Sequence, residues 1–115
     1  MAANGNVYVA DKNNHRIRIV TPAGVVTTLA GSSTSGFADG TGAGAKFNYP
    51  SGVAVDSSTN VYVADASNHR IRKVTPGGVV TTLAGDGAGA FADGTGAAAR
   101  FSGPAGVAVD ASGNI

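Results

Sequence analysis

The sequence predicts an all-β chain built from two copies of one four-stranded antiparallel unit, and three observations lead there. Shifting the sequence by 54 positions sets Asn6-Val7-Tyr8-Val9-Ala10-Asp11 on Asn60-Val61-Tyr62-Val63-Ala64-Asp65. The register then holds without a gap from Asn6/Asn60 to Thr59/Gly113, with 38 identities among the 54 pairs. Hydrophobic residues make up 43%, charged residues only 13%, and glycine fills 18 positions, a balance that suits strands and turns rather than helices. Short apolar runs are bounded at regular intervals by Gly, Pro, Asn, Asp or Ser. One supersecondary unit of this length cannot bury its own faces and must stack on neighbours, as propeller blades and solenoid units do. Residues 1–115 are therefore read as one domain, with repeats over 6–59 and 60–113.

Each period holds four strands. In the complete copy the first is Gly52 to Asp56, closed by the turn Asp56-Ser57-Ser58-Thr59. The second is Asn60 to Asp65, followed by the short turn Ala66-Ser67-Asn68. His69 to Thr75 is the third, closed by Pro76-Gly77-Gly78, and Val79 to Ala84 is the fourth. Alternation puts Val61 and Val63 on one face and Tyr62 and Ala64 on the other, while Ile71 lies opposite Arg70 and Arg72. The first two strands are apolar or small on both faces, as a sheet covered on both sides requires. The third is more polar, which predicts inner strands sandwiched between blades and outer strands meeting water. A long glycine-rich connection, Gly85 to Ala105, matches Gly31 to Ser51 and should lead from the outside of one blade to the inside of the next. Phe91 and Phe101, like Phe37 and Phe47, are its expected packing anchors. Tyr49 has no partner, since Gly103 stands at its place, and is a candidate binding residue specific to one repeat.

The ordered series P-x-G-V-A-V-D at Pro50 to Asp56, N-V-Y-V-A-D at Asn60 to Asp65 and N-H-R-I at Asn68 to Ile71 resembles the NHL repeats, and with the other copies the resemblance covers essentially the whole chain. Where the family name has Leu after Asn-His, this sequence has Arg16 and Arg70. The resemblance implies four-stranded blades in closed rings, typically of six, that bind protein or RNA; a related lyase carries metal in the ring channel.

With strands named A to D from inside out, the chain opens on strand B of one blade, makes one whole blade, and ends on another A strand, Gly106 to Asp110. Open blades would expose unpaired edges and apolar faces, which favours aggregation. The expectation is a ring closed by strand exchange, in which Gly106, Val107, Ala108, Val109 and Asp110 of one chain pair with Asn6, Val7, Tyr8 and Val9 of the next through a heterologous interface. Two blades per chain make the total even, so three chains give six blades and four give eight; the resemblance favours the trimer. The alternative is an excerpt from a longer array, or an engineered one, whose further repeats complete the ring in one polypeptide.

The chemistry available is sparse. A formal charge of +1 gives no general reason to expect nucleic acid or an anionic membrane, and no run of about 18 apolar residues is present. The absence of cysteine excludes disulfides, thiolate metal sites and thiol nucleophiles and leaves the compartment unread. Met1-Ala2-Ala3-Asn4-Gly5 shows no targeting pattern. His15 and His69, four residues after Asp11 and Asp65, suggest a base or ligand beside a carboxylate, but one such group per blade reads as scaffold. Asp56 and Asp110 could form a carboxylate ring around a cation at the axis; an Asx-turn role is preferred. Asp39-Gly40-Thr41-Gly42 and Asp93-Gly94-Thr95-Gly96 lack the dense acidic set of a calcium loop. Arg16, Arg18, Arg70 and Arg72, with Lys12 and Lys73, are the candidate band for phosphate or acidic peptide, set against a solvated strand whose arginine stems cover neighbours. No aromatic residue interleaves with them to stack bases. The functional expectation is a self-assembling scaffold without catalysis, cofactor or metal. The alternative is a module recognising peptide, glycan or RNA through its long loops or channel mouth.

Overall fold

The computed structural model describes residues 4–115; Met1 to Ala3, part of the stretch read above for targeting, lie outside them. Eight strands follow in order: β1 (Val7–Asp11), β2 (Arg16–Val20), β3 (Val26–Gly31), β4 (Gly40–Thr41), β5 (Pro50–Val55), β6 (Val61–Asp65), β7 (Arg70–Val74) and β8 (Val79–Ala84). They form two antiparallel sheets, one ordered β1-β2-β3 and the other β4-β8-β7-β6-β5. Each predicted strand of the two blades is present with its ends moved by one or two residues. The fold is all-β and the two sheets are successive blades of a partial propeller.

Local chemistry accounts for the turns. Asp56 Oδ1 accepts the backbone N–H of Ser58 and of Asn60, at 2.9 Å each, which folds the chain back from β5 into β6. Thr75 Oγ1 accepts the N–H of Val79 at 3.1 Å, and Gly78 supplies φ +85° before β8. Between β6 and β7 a single 3₁₀ turn, Ala66–Asn68, ends on His69 in the left-handed region at φ 53°; its counterpart His15 has φ 57°. Gly85, at φ +98° where β8 ends, has its backbone so close to the preceding turn that an added Cβ would stand 2.6 Å from the His69 carbonyl oxygen. Glycine is required there on both counts.

One feature departs from expectation, and one expected strand has no pairing partner within a single chain. The Gly31 to Ser51 connection does not simply cross to the inside of the second blade: on its way it adds β4 to the outer edge of β8, pairing Gly40 with Val80 and Thr41 with Val79. Gly106 to Asp110, expected as an inner strand that pairs with another chain, has no strand partner among the described residues. Its approach is nevertheless fixed, because Ser51 Oγ donates to the Pro104 carbonyl at 2.8 Å, and a Cβ on Gly52 would meet the Ala105 carbonyl oxygen at 2.9 Å. Its turn is formed as well, with Asp110 Oδ1 accepting the N–H groups of Ser112 and Asn114 as Asp56 does in the first copy. What it lacks is a second strand to exchange ladder hydrogen bonds with.

The core lies between the two blades. Ile17, Ala30, Ala45 and Phe47 come from the first repeat, Val61, Val63, Val74 and Val80 from the second, and all eight are essentially inaccessible. Tyr8, Ala10 and Leu29 extend it on one side, Val53 and Val55 on the other.

Candidate functional site at the blade junction

The densest polar chemistry of the chain sits where the connection after the first blade crosses the second. Sequence reading placed Arg72 in a solvated positive band; the structure puts its side chain at 0% exposure. Strand pairing brings Arg72 across from Val63, on the face that meets the first blade, so alternation directs it inward with Val74. Its Nη1 donates to Asp65 Oδ2 at 2.8 Å and to the Lys46 carbonyl at 2.9 Å, and its Nη2 to Asp39 Oδ1 at 2.8 Å and the Ala38 carbonyl at 2.9 Å. Only Nε is left without a protein acceptor. The guanidinium also lies 4.7 Å from the Phe37 ring centre and 5.2 Å from that of Phe47.

Asp65 is the second member. Its Oδ1 accepts the backbone N–H of Asn48 at 2.8 Å, and its Oδ2 accepts the Asn68 amide at 2.7 Å in addition to Arg72. Burial pushes this carboxyl upward against the pull of those donors. Asn68 also donates to the Gly36 carbonyl at 2.7 Å, and the Arg70 guanidinium lies over the Phe37 ring, 3.7 Å from its centre. One connecting loop is thus held by Asp65, Asn68, Arg70 and Arg72 of the following blade. The N-H-R-I pattern is the visible trace of this grip. Its direction was missed because strand alternation does not say which face will meet a neighbour.

The other candidates take their places around the junction. His15 Nδ1 accepts the N–H of Tyr49 at 3.1 Å and His69 Nδ1 accepts that of Gly103 at 2.9 Å, so each histidine pins the loop that leaves its own blade. The unusual Tyr49, at φ 52° where Gly103 has φ 53°, packs its ring edge-on to His15 at 4.5 Å and stays 42% exposed. Arg18, Arg16 and Tyr49 are not gathered into one pocket with Arg70 and Arg72. Arg18 is held by Asp11 at 3.1 Å. Phe47 is fully buried as expected of an anchor, Phe37 lies beneath Arg70 but stays 43% exposed, and Phe91 is 86% exposed.

Asp56 and Asp110 do the work of turns. Burial acts to raise the Asp56 carboxyl, but the Asn60 backbone and amide, the Tyr62 hydroxyl at 2.9 Å and the Ser58 N–H outweigh it and hold the group below its usual value. Asp110 is lowered by the backbone and amide of Asn114. A depressed folded value means stability present above the ordinary 3.8 and lost as pH falls through the lower folded value. Urea midpoints are therefore expected to drop on acidification below about pH 4, and Asp56→Ala to flatten part of that drop. Among the described residues no group of three or more His, Cys, Asp or Glu could hold a metal, and no helix is long and apolar enough to cross a membrane.

A model of the NHL repeat matches residues 1–20 and 47–74, the stretches that contain β1, β2 and β5 to β7. The chain belongs to the NHL-repeat family. NHL repeat-containing protein 2 of Gallus gallus is 41% identical over 82 residues, 70% of this chain and 11% of that protein. Protein SUPPRESSOR OF QUENCHING 1, chloroplastic, of Arabidopsis thaliana is 38% identical over 74 residues, 64% of this chain and 7% of its own length. The chain thus spans about a tenth of the curated relatives it matches. Among solved structures, an auxiliary nutrient binding protein of Bacteroides thetaiotaomicron superposes over 94% of this chain and 30% of its own, with a TM-score of 0.82 and 25% identity. Within the Asn68-His69-Arg70-Ile71 segment, Asn68 and Arg70 hold the connection that arrives from the first blade and His69 holds the one that leaves the second.

Proposed function

We propose that the chain is a non-catalytic interaction module that joins copies of itself into a closed NHL propeller, three chains making six blades, and acts as a scaffold. One observation carries this reading. The core between the blades has two halves, and the chain displays an unused copy of each. Val61, Val63 and Val74 are 0% exposed and Val80 1%, whereas their counterparts Val7, Val9 and Val26 are 45%, 37% and 49% exposed and Val20 is half-buried. Opposite them, the counterparts of Ile17, Ala30 and Phe47 are Ile71, Ala84 and Phe101, which line an open apolar groove of about 510 Å³ with Leu83 and residues 104–108. Each half fits the other, because the same side chains already fit inside the chain.

Two different surfaces of one subunit that complement each other make a head-to-tail contact, which closes when the rotation per chain divides the circle. Full burial of an exposed valine side chain stabilises by about 1.5–3 kcal/mol; these four start half-exposed or less, so each gains at most about half of that and together they offset part of the several kcal/mol that association costs. NHL propellers are generally interaction modules, which agrees with this reading. The copied Val107-Ala108-Val109 would pair with Val9-Tyr8-Val7 in the register by which Val53, Ala54 and Val55 pair with Val63, Tyr62 and Val61.

Light scattering tests the proposal: the expected mass is three times 11.2 kDa. Deleting residues 105–115 should reduce it to that of one chain. A monomeric parent chain, or a trimer indifferent to the deletion, would overturn the strand-exchange ring.

A further inference from the structure

Resting on that ring, we infer that a polar clasp joins the copies: Arg18 and Arg16 of one chain grip the Phe91 to Arg100 loop of the next. The internal junction is its precedent. There the gripped loop is a small ladder, with Lys46 N–H donating to the Ala38 carbonyl at 3.0 Å and Gly36 N–H to the Phe47 carbonyl at 3.1 Å. The second loop is already folded in the same way without a partner: Arg100 N–H donates to the Ala92 carbonyl at 3.0 Å, and Ala90 N–H to the Phe101 carbonyl at 3.2 Å. It therefore presents the carbonyls of Ala92 and Arg100, the Asp93 carboxylate and the Phe91 ring in preformed positions, which lowers the ordering cost of binding.

The gripping half is also in place. Asp11 accepts Arg18 Nη1 at 3.1 Å and the Asn14 amide at 3.1 and 3.2 Å, the arrangement that Asp65 makes with Arg72 and Asn68. Arg18 lacks what Arg72 obtains from the loop, two carbonyls and a second carboxylate, and its side chain is 29% exposed against 0%. Arg16 lacks the ring that Arg70 covers, and Phe91 lacks its cation. Four matching positions, Asp11, Asn14, Arg16 and Arg18, stand at one end of the chain, and the loop they fit stands at the other. In the ring, Arg18 donates to the Arg100 and Ala92 carbonyls and to Asp93, and both Arg16 and Arg18 lie over Phe91, as Arg70 and Arg72 lie 3.7 and 4.7 Å from the centre of Phe37. The fork geometry of arginine is what permits four acceptors at once.

The test is a double-mutant cycle on the whole chain, read as the midpoint concentration of assembly by light scattering. Phe91→Ala is the sharper variant, since a ring 86% exposed has little to contribute to the fold of a single chain. Phe91→Ala and Arg18→Ala are each expected to raise the midpoint at least tenfold, and the double variant to raise it by less than the product of the two. Arg18→Lys, which keeps the charge and loses the fork, should fall with Arg18→Ala. If the parent chain is trimeric and Phe91→Ala leaves its midpoint unchanged, the clasp is wrong and the ring stands. Exactly multiplicative effects also overturn the clasp, whereas a monomeric parent chain overturns the ring itself.

Discussion

Arg72→Ala is expected to destabilise the chain by about 3–5 kcal/mol, the usual cost of breaking a buried ion pair by removing one partner. The loss is large because of what remains. Asp65 is 0% exposed, and without the guanidinium its carboxylate keeps only the Asn48 N–H and the Asn68 amide. The carbonyls of Ala38 and Lys46 lose a donor at the same time, and Asp39 loses its partner. Urea unfolding, with both chains in the same oligomeric state, provides the measurement. Arg18→Ala serves as the internal comparison, since Arg18 pairs with Asp11 while both side chains are more than a quarter exposed. In the single chain its effect on unfolding should stay near 1 kcal/mol or less, as for other solvated pairs. Equal losses at the two positions would show that the junction does not depend on the buried arrangement.

Phe47→Ala should cost a similar amount, about 3–5 kcal/mol, as the deletion of a fully buried aromatic ring does. Phe47 stands at the meeting point of Ile17, Ala30 and Ala45 with the four valines of the second blade, and it lies beside the Arg72 guanidinium. Its removal opens a cavity that two rigid sheets cannot collapse to fill, and it takes away one wall of the buried charge site. The repeat again offers a comparison. Phe101 occupies the same place in the second connection but is only half-buried, so Phe101→Ala should shift the unfolding midpoint of the single chain much less. A small effect of Phe47→Ala would mean that the inter-blade core is not what holds the two sheets together.

Most of the scaffold was legible because its signals are local. Strand positions follow from apolar runs bounded by turn formers, and Asp56, Thr75 and Gly78 specify their turns with atoms only a few residues away. The two left-handed histidines and the β4 addition were not legible, since neither residue type nor spacing marks them. Arg72 is the clearest case. A polar residue alternating with Ile71 reads as the solvent side of an outer strand, and nothing within β7 shows that a loop bearing Asp39 and the Ala38 and Lys46 carbonyls will cover it. The same holds for Phe91 and Phe37, each followed by Ala-Asp-Gly-Thr-Gly: Phe37 lies under two arginines at 43% exposure, and Phe91 stands at 86%.

By itself, then, the sequence determined the repeat, the strand and turn positions and the NHL character, all of which depend on side-chain periodicity and turn chemistry within a few residues. Only the tertiary structure decided which arginine is buried, which valines are covered and which faces stand open. Those outcomes depend on what a neighbouring blade brings to a surface. Two near-identical repeats in one chain differ in exposure for that reason alone: one face of Val61 and Val63 is met by Phe47 and Ile17, and the same face of Val7 and Val9 is met by solvent.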